Sequence, residues 1–507
     1  MKNIVRYSFC FLILVVALFT QDTTHAGFRS LNVDAGKVIG EIHSFQGLNG
    51  LPSPVMAGLP NLIQQYKDLR VNQVRTHDAM GPTEIDSKFV LGNGELAWLI
   101  PDEAQRAGVV KAGNASIIFP NESADPEKPE SYNFAPSDKV IAAIRASGAE
   151  VYYRIGRSWG ANVNPPNDFD KFASIVKHIA MHYNQGWANG FHDGIRYWEF
   201  WNEPDGLFWL GTPEQFYWLY EKTARALKSV DPALKVGGDG KAFPSDDGGY
   251  REGFIDYCAA HHVPLDFYSW HHYMDSSQDP YDMVRIAREV RLLLDSYGLR
   301  RTESHTNEWN MSLGDKPQKQ NSMASAAFTA TALMYMQDAP VDLSCYYAGD
   351  AGGMGLFEPD GLLRKKAYTF KATSQMLQTP QRVEATGGDT LGYAVLAGRS
   401  RNCKKVQILI SNYEMGPVFE LAIWPPGVPR VENFTPRGNR IRYTDKGYAL
   451  TVRNLPWGSG TFTVRRYRIT EKENLTLAGE LTSKGGSLSM ANELAAPGVE
   501  LIVLEAE

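Results

Sequence analysis

Residues 198–205 read Trp198-Glu199-Phe200-Trp201-Asn202-Glu203-Pro204-Asp205. As far as Trp201 the run is short, aromatic and β-like, and at Asn202 the chain must turn because Asn and Pro break strands. A strand ending on an acidic residue is what a parallel barrel presents at its carboxyl rim, where such folds hold their reactive groups. This run begins at Arg196, and seven further β-like runs flank it: His43 to Leu48, Val71 to His77, Glu150 to Gly156, Lys235 to Gly238, Asp266 to Tyr273, Thr302 to Glu308 and Val341 to Tyr347.

Helical patterns separate most of these runs. Thr212-Pro213-Glu214-Gln215 is a capping box with proline at the first helical position, ahead of Phe216, Leu219, Tyr220 and Leu227. Asp279-Pro280 opens another helix, with Met283, Ile286, Ala287, Val290 and Leu294 on one face. Eight strands alternating with helices predict an α/β fold, a (β/α)8 TIM barrel. Past the helical run Leu362 to Leu377 the pattern changes. Tyr393 to Leu396, Val406 to Ile410, Phe419 to Ile423, Ala449 to Val452, Phe462 to Ile469 and Leu501 to Leu504 are strand runs parted by Gly, Pro and Asn. The alternation Val406, Ile408, Ile410 marks a half-buried strand. A C-terminal all-β sandwich is therefore expected over 379–507, behind a barrel over 27–378. The extended stretch Leu31 to Ile39 is a candidate to pair with the sandwich. The Gly-, Pro- and Asn-rich excursion from Asp78 to Tyr132 is expected to cover the top of the barrel.

The chain starts with basic residues, Lys2 and Arg6, followed by an apolar run from Phe9 to Phe19 and a small-residue exit at Thr24-His25-Ala26. That is the pattern of a signal peptide over 1–26, cut after Ala26. It predicts a secreted or periplasmic protein with no membrane attachment after cleavage, since the apolar run is short for a bilayer. Cys258, Cys345 and Cys403 lack CxxC spacing and sit in apolar or strand-like context, which favours buried thiols over metal ligands. Hydrophobic residues at 43% and charged residues at 21% exclude wholesale disorder and collagen-like structure. A net charge of −6 gives no electrostatic footprint for nucleic acid.

The seventh barrel run ends Thr306-Asn307-Glu308-Trp309-Asn310. Glu203 and Glu308 thus close two strands on opposite sides of a small barrel. Facing carboxylates across a cleft are what glycoside hydrolysis requires, and a separation of about 5–5.5 Å gives the retaining mechanism. In this reading Glu308 is the ionised nucleophile. Its charge keeps Glu203 protonated as the acid, and Glu203 later serves as base. Two carboxylates suffice, so no metal or organic cofactor is expected.

On the sixth run, Asp266-Phe267-Tyr268-Ser269-Trp270-His271-His272-Tyr273, period-two alternation places His271 and Tyr273 on one face and His272 on the other. Tyr273 is expected to hydrogen-bond Glu308, and His271 to bind a sugar hydroxyl or orient Glu203. A packed His–Tyr pair is the plainer alternative. Arg75 and His77 share a face of the second run, with Arg75 placed to pair with Glu308 from below or to be purely structural, and His77 to meet substrate. Trp159, Trp209, Trp270 and Trp309 lie near strand ends, and about half of them are expected as sugar platforms.

These residues carry a family resemblance. Val74-Arg75-Thr76-His77-Asp78, Tyr132-Asn133-Phe134-Ala135-Pro136-Ser137-Asp138, residues 197–204, Lys235-Val236-Gly237-Gly238, residues 269–273 and Asn307-Glu308-Trp309 together resemble glycoside hydrolase family 39. The likeness runs from about Gly40 to Ala372. It implies a retaining exo-glycosidase acting on an oligo- or polysaccharide, β-xylosidase-like above all, with Glu203 as acid/base and Glu308 as nucleophile. It also implies that Asn202 binds the hydroxyl next to the anomeric carbon and that His271 and Tyr273 are the family's His-x-Tyr.

Arg157, in Arg154-Ile155-Gly156-Arg157-Ser158-Trp159, departs from the family pattern. It either binds a carboxylate or sulfate on an acidic sugar or pairs with a loop acid. An α-L-iduronidase-like or exopolysaccharide-directed activity therefore stands as an alternative. So does a non-catalytic glycan-binding barrel, against which the presence of both glutamates argues. Asp350 is either a contact for a sugar hydroxyl or part of a mobile loop. The oligomeric state is left open.

Overall fold

The computed structural model describes residues 27–53, 60–79, 81, 83–85, 103–157, 163–206, 208–242, 249–274, 278–312, 320–414 and 446–507. The expected signal over 1–26, Trp159, the run Phe419 to Ile423 and much of the 78–132 excursion lie outside the described residues. No helix among the described residues is long and apolar enough to cross a membrane.

Strand β1 (Phe28–Glu41) precedes the barrel. Then β2 (Gly47–Asn49), β3 (Gln73–Arg75), β4 (Glu150–Ile155), β5 (Tyr197–Phe200), β6 (Lys235–Lys241), β7 (Phe267–Tyr273), β8 (Glu303–Asn310) and β9 (Leu343–Tyr346) close a parallel barrel in chain order. Each of the eight runs read from the sequence overlaps one of these strands, though β2, β6 and β8 run past the ends of theirs.

Alternation sorts the side chains between the two faces of the barrel. Tyr152, Tyr197, Phe267, Leu343 and Cys345 fill the lumen as one cluster. Their neighbours Tyr153, Trp198, Phe200, Tyr268 and Trp270 belong to the large core shared with the surrounding helices. The helix Pro213–Val230 opens with the expected capping box, Thr212 and Gln215 exchanging side-chain and backbone bonds.

The second sheet has nine strands, mostly antiparallel. It adds β10 (Gln381–Thr386), β11 (Tyr393–Arg399), β12 (Lys405–Asn412), β13 (Gly447–Arg453), β14 (Thr461–Ile469), β15 (Asn474–Lys484), β16 (Leu488–Glu493) and β17 (Gly498–Ala506) to β1. Strands from distant parts of its order share one apolar core: Leu31, Val406, Ile408, Ile410, Leu450, Val464 and Ile502. On β12 the intervening Leu409, with Tyr413 beyond it, faces the barrel core instead. At β12 the sheet is thus buried on both faces. Strand β1 lies inside it, antiparallel to β10 (Asn32 opposite Thr386) and parallel to β13 (Phe28 opposite Gly447). The Tyr413 hydroxyl donates to the Gln278 carbonyl at 3.1 Å, tying the sheet to the loop that follows β7.

Candidate active site

Two irregularities build the rim of the barrel. After β5 the backbone turns through Trp201 (φ 66°) and Glu203 (φ 46°), both left-handed. A side chain there costs about 1–2 kcal/mol, so the turn must be held from outside. It is: Trp201 N–H donates to Ile155 O at 2.7 Å and Glu203 N–H to Gly240 O at 2.9 Å, gripping the turn from both neighbouring strands. The second irregularity is a bulge in β8. His271 pairs with Glu308 while Trp270 pairs with Thr306, which leaves Asn307 as the extra residue. Consecutive Asn307 and Glu308 thereby both turn into the lumen. Asn307 Nδ2 donates to Glu199, and Glu308 reaches Arg75 and Tyr273.

Arg75 is the hub. It is wholly buried, and its Nε donates to Glu199 Oε2 at 2.6 Å, Nη1 to Glu308 Oε2 at 2.9 Å and to Asn49 Oδ1 at 3.2 Å, and Nη2 to Asn202 Oδ1 at 2.7 Å. Glu199 is completed by Ser269 Oγ at 2.9 Å. Above this layer Tyr273 Oη donates to Glu308 Oε1 at 2.6 Å. His271 Nδ1 stands 2.7 Å from Glu203 Oε1 and 3.6 Å from Glu308 Oε2, between the two glutamates. One carboxylate oxygen from each glutamate and one His271 nitrogen lie within 4.8 Å of one another.

The electrostatics separate these groups. Burial raises the Glu308 carboxyl above its ordinary value. His271, Arg75 and Tyr273 pull against that rise, and the Glu203 carboxyl adds to it. Burial also lowers the His271 imidazole despite the pull of Glu308, so it is neutral at pH 7. The Tyr273 hydroxyl is pushed well up by burial and then by Glu308, so it remains a donor. His77 is held well below its ordinary value by burial and by Arg75, Arg154 and His271.

A model of glycosyl hydrolases family 39 matches residues 139–349. A glucosidase from Croceicoccus marinus of known structure is 34% identical, covers 94% of this chain and 99% of its own, and superposes with a TM-score of 0.79. The chain belongs to glycoside hydrolase family 39. β-Xylosidases also match: one from Geobacillus stearothermophilus is 29% identical over 248 residues (43% of this chain, 48% of that one). Another, from Caldicellulosiruptor saccharolyticus, is 27% identical over 299 residues (53% of this chain, 58% of that one). The match thus spans about half the length of each of these two relatives.

Within this family 39 barrel the structure brings Glu203, Glu308, His271, Tyr273, Asn202, Arg75 and His77 to the same rim. His272 faces away from them, 3.7 Å from Asp282. Other expectations need correction. Arg75 does not meet substrate, because Glu199, Glu308, Asn49 and Asn202 take its guanidinium; it positions them. Trp309 is fully buried, donates to Ser344 Oγ at 2.7 Å and packs edge-on against Tyr346. Its neighbour Glu308 faces the lumen, so Trp309 must face the helices and is no sugar platform. Trp270 is likewise fully buried and bonded to Ser304 Oγ at 3.1 Å, and Trp209 is 4% exposed and bonded to the Thr212 carbonyl at 3.1 Å. Arg157 is buried, with Nη1 donating to the Asn164 carbonyl, so it braces its own loop. Burial raises the Asp350 carboxyl to about 7, with Asp78 as the next cause.

Sequence reading missed Glu199, Ser269, Asn307 and Gly240. Glu199 was findable: a charged residue between Trp198 and Phe200 in a barrel strand must face inward and needs a cation, which Arg75 supplies. Gly240 has φ 64° at a β6 bulge, and a Cβ there would lie 3.2 Å from Glu199 Oε1 and 3.4 Å from Arg75 Nη2. Among the described residues, Glu203, His271 and Glu308 form the one cluster with metal-ligand spacing. Both Glu308 oxygens and His271 Nδ1 already have partners there, and Arg75 brings a positive charge beside them. That donor set suits a hydrogen-bonded acid pair better than a cation.

Proposed function

We propose that this chain is an exported retaining glycosidase that releases single sugars from β-xyloside-type substrates. The observation that carries this reading is the approach of Glu203 and Glu308, with carboxylate oxygens within 4.8 Å, in unlike surroundings. That spacing supports a retaining pair, since an inverting pair stands about 6.5–9.5 Å apart to admit a water. A Glu308 oxygen attacks the anomeric carbon while Glu203 passes its proton to the departing glycosidic oxygen. Glu203, now a carboxylate, then takes a proton from the water that attacks the glycosyl-enzyme.

Neutral His271 suits the first step, in the tautomer whose Nδ1 accepts from the acid form of Glu203. Arg75 and Tyr273 fix Glu308 in line and favour its charged form. The Arg75 bond takes the side-chain oxygen of Asn202, leaving its NH2 group for the hydroxyl beside the anomeric centre. Support for xylosides comes from the two β-xylosidase relatives, and support for export from the pattern over residues 1–26.

The test is turnover of an aryl glycoside panel, with NMR of the first-formed anomer and mass spectrometry after a 2-deoxy-2-fluoro glycoside. Retention, with the label on Glu308 and loss of activity in Glu308→Ala, is expected. Oligosaccharide binding without cleavage would overturn the reading in favour of a glycan-binding barrel. A second reading, a glucosidase, is favoured by the 34% identical relative that spans nearly the whole chain. The ratio of kcat/KM for xyloside and glucoside decides between the two.

A further inference from the structure

The turn that carries Glu203 is clamped by three successive residues at the end of β6. Gly240 O accepts from Glu203 N–H at 2.9 Å. Lys241 Nζ reaches Asp205 Oδ2 at 2.8 Å, and Ala242 N–H donates to Asp205 Oδ1 at 2.9 Å. The Lys241 and Asp205 side chains are 0% and 1% exposed. Burying such a pair costs desolvation energy that its attraction at best recovers, so stability alone does not explain it. Its neighbour Asp239 is also buried, and both its oxygens lack a hydrogen-bond partner among the described residues. Burial, then the Asp205 charge, raises the Asp239 carboxyl well above its ordinary value, and the Lys241 ammonium bonds Asp205 instead.

We propose that the Lys241–Asp205 ion pair is a positioning device for the general acid, locking the left-handed turn at Glu203 so that its carboxyl meets the leaving oxygen. The inference rests on the glycosidase reading above. When the glycosidic bond breaks, the electron pair stays on the leaving oxygen, the new bond forms between the anomeric carbon and Glu308, and the proton comes from Glu203. A leaving group that is stable as an anion needs little of that proton, whereas a sugar alcohol needs it fully. A displaced Glu203 therefore slows poor leaving groups selectively, which a general loss of structure would not do.

The experiment measures kcat/KM, which reports the first step, for xylobiose and for 2,4-dinitrophenyl β-xyloside in Lys241→Met and Asp205→Asn. Retained turnover of the activated glycoside shows that each variant is folded. Asp205→Asn preserves shape and the Ala242 contact, so it carries the test if Lys241→Met does not fold. The expected result is a loss of about tenfold or more on xylobiose with less than about threefold on the activated glycoside, a part of the ~10²–10⁴-fold that a positioned acid supplies. Equal losses on the two substrates, or none, overturn the positioning role. A wild type that cleaves neither xyloside overturns the xylosidase reading, and the same comparison of variants then runs on cellobiose and 2,4-dinitrophenyl β-glucoside.

Discussion

Tyr273 and Glu308 face each other from adjacent strands, with the phenolic hydroxyl 2.6 Å from Oε1. The hydroxyl stabilises the charged form of a carboxylate, which burial disfavours. In Tyr273→Phe, the loss of this donor moves the Glu308 titration upward. The acidic limb of the kcat/KM profile should then shift to higher pH, with activity down about 10- to 100-fold and stability lowered by only about 1 kcal/mol. An acidic limb that stays in place in the variant would contradict the assignment.

Arg75→Leu leaves Glu199 and Glu308 without their cation in a buried layer. Removing one partner of a buried ion pair costs about 3–5 kcal/mol, so urea unfolding should show a loss of that order. Adding Glu199→Leu to the same chain should restore part of it, because the orphaned charge is gone. A single variant as stable as the parent would mean that water already serves these carboxylates.

Gly240→Ala tests the β6 bulge. The new methyl group meets Glu199 and Arg75, and the residue must adopt φ 64°. A destabilisation of about 1–2 kcal/mol from the backbone alone is expected, together with a fall in kcat as the Arg75 layer shifts. Thermal melting and kinetics on the same sample read both effects, and an active, equally stable variant would show that the layer tolerates movement.

Glu303 offers a pH test away from the rim. Burial raises its carboxyl, but bonds from His305 at 3.1 Å, Lys235 at 3.2 Å and Tyr197 at 3.0 Å outweigh that and bring it to about 2. A lowered carboxyl contributes stability above its unfolded value of 4.5 and loses it as pH falls towards about 2. Glu303→Gln should therefore cost on the order of 1–2 kcal/mol at pH 7, allowing for its partial exposure. The gap to the parent should narrow between pH 4.5 and 2 in denaturant titrations. A gap independent of pH would rule out the linkage.

Much of this site was legible because strand alternation and strand ends are local properties. Glu203, Glu308, His271, Tyr273 and Arg75 could all be placed from their spacing. The same alternation applied one residue further would have sent Trp309 to the helices, since it follows an inward Glu308. The aromatic count obscured this: most of the tryptophans near the rim serve the wall of the barrel. Asn307 was illegible because a bulge inserts it, and the pairing of Lys241 with Asp205 because it depends on where two loops meet in space. The arrangement of the second sheet was equally hidden, as no local pattern tells β1 which strand to join.

That membership has a consequence for synthesis. β1 leaves the ribosome before the barrel, yet both of its partners, β10 and β13, follow the entire barrel. It must wait unpaired, with apolar Leu31 and Val33 uncovered, until β10 and β13 have been made. The barrel is in effect a long insertion between one strand and its neighbours, and the seam at β1 closes only after the barrel has been made.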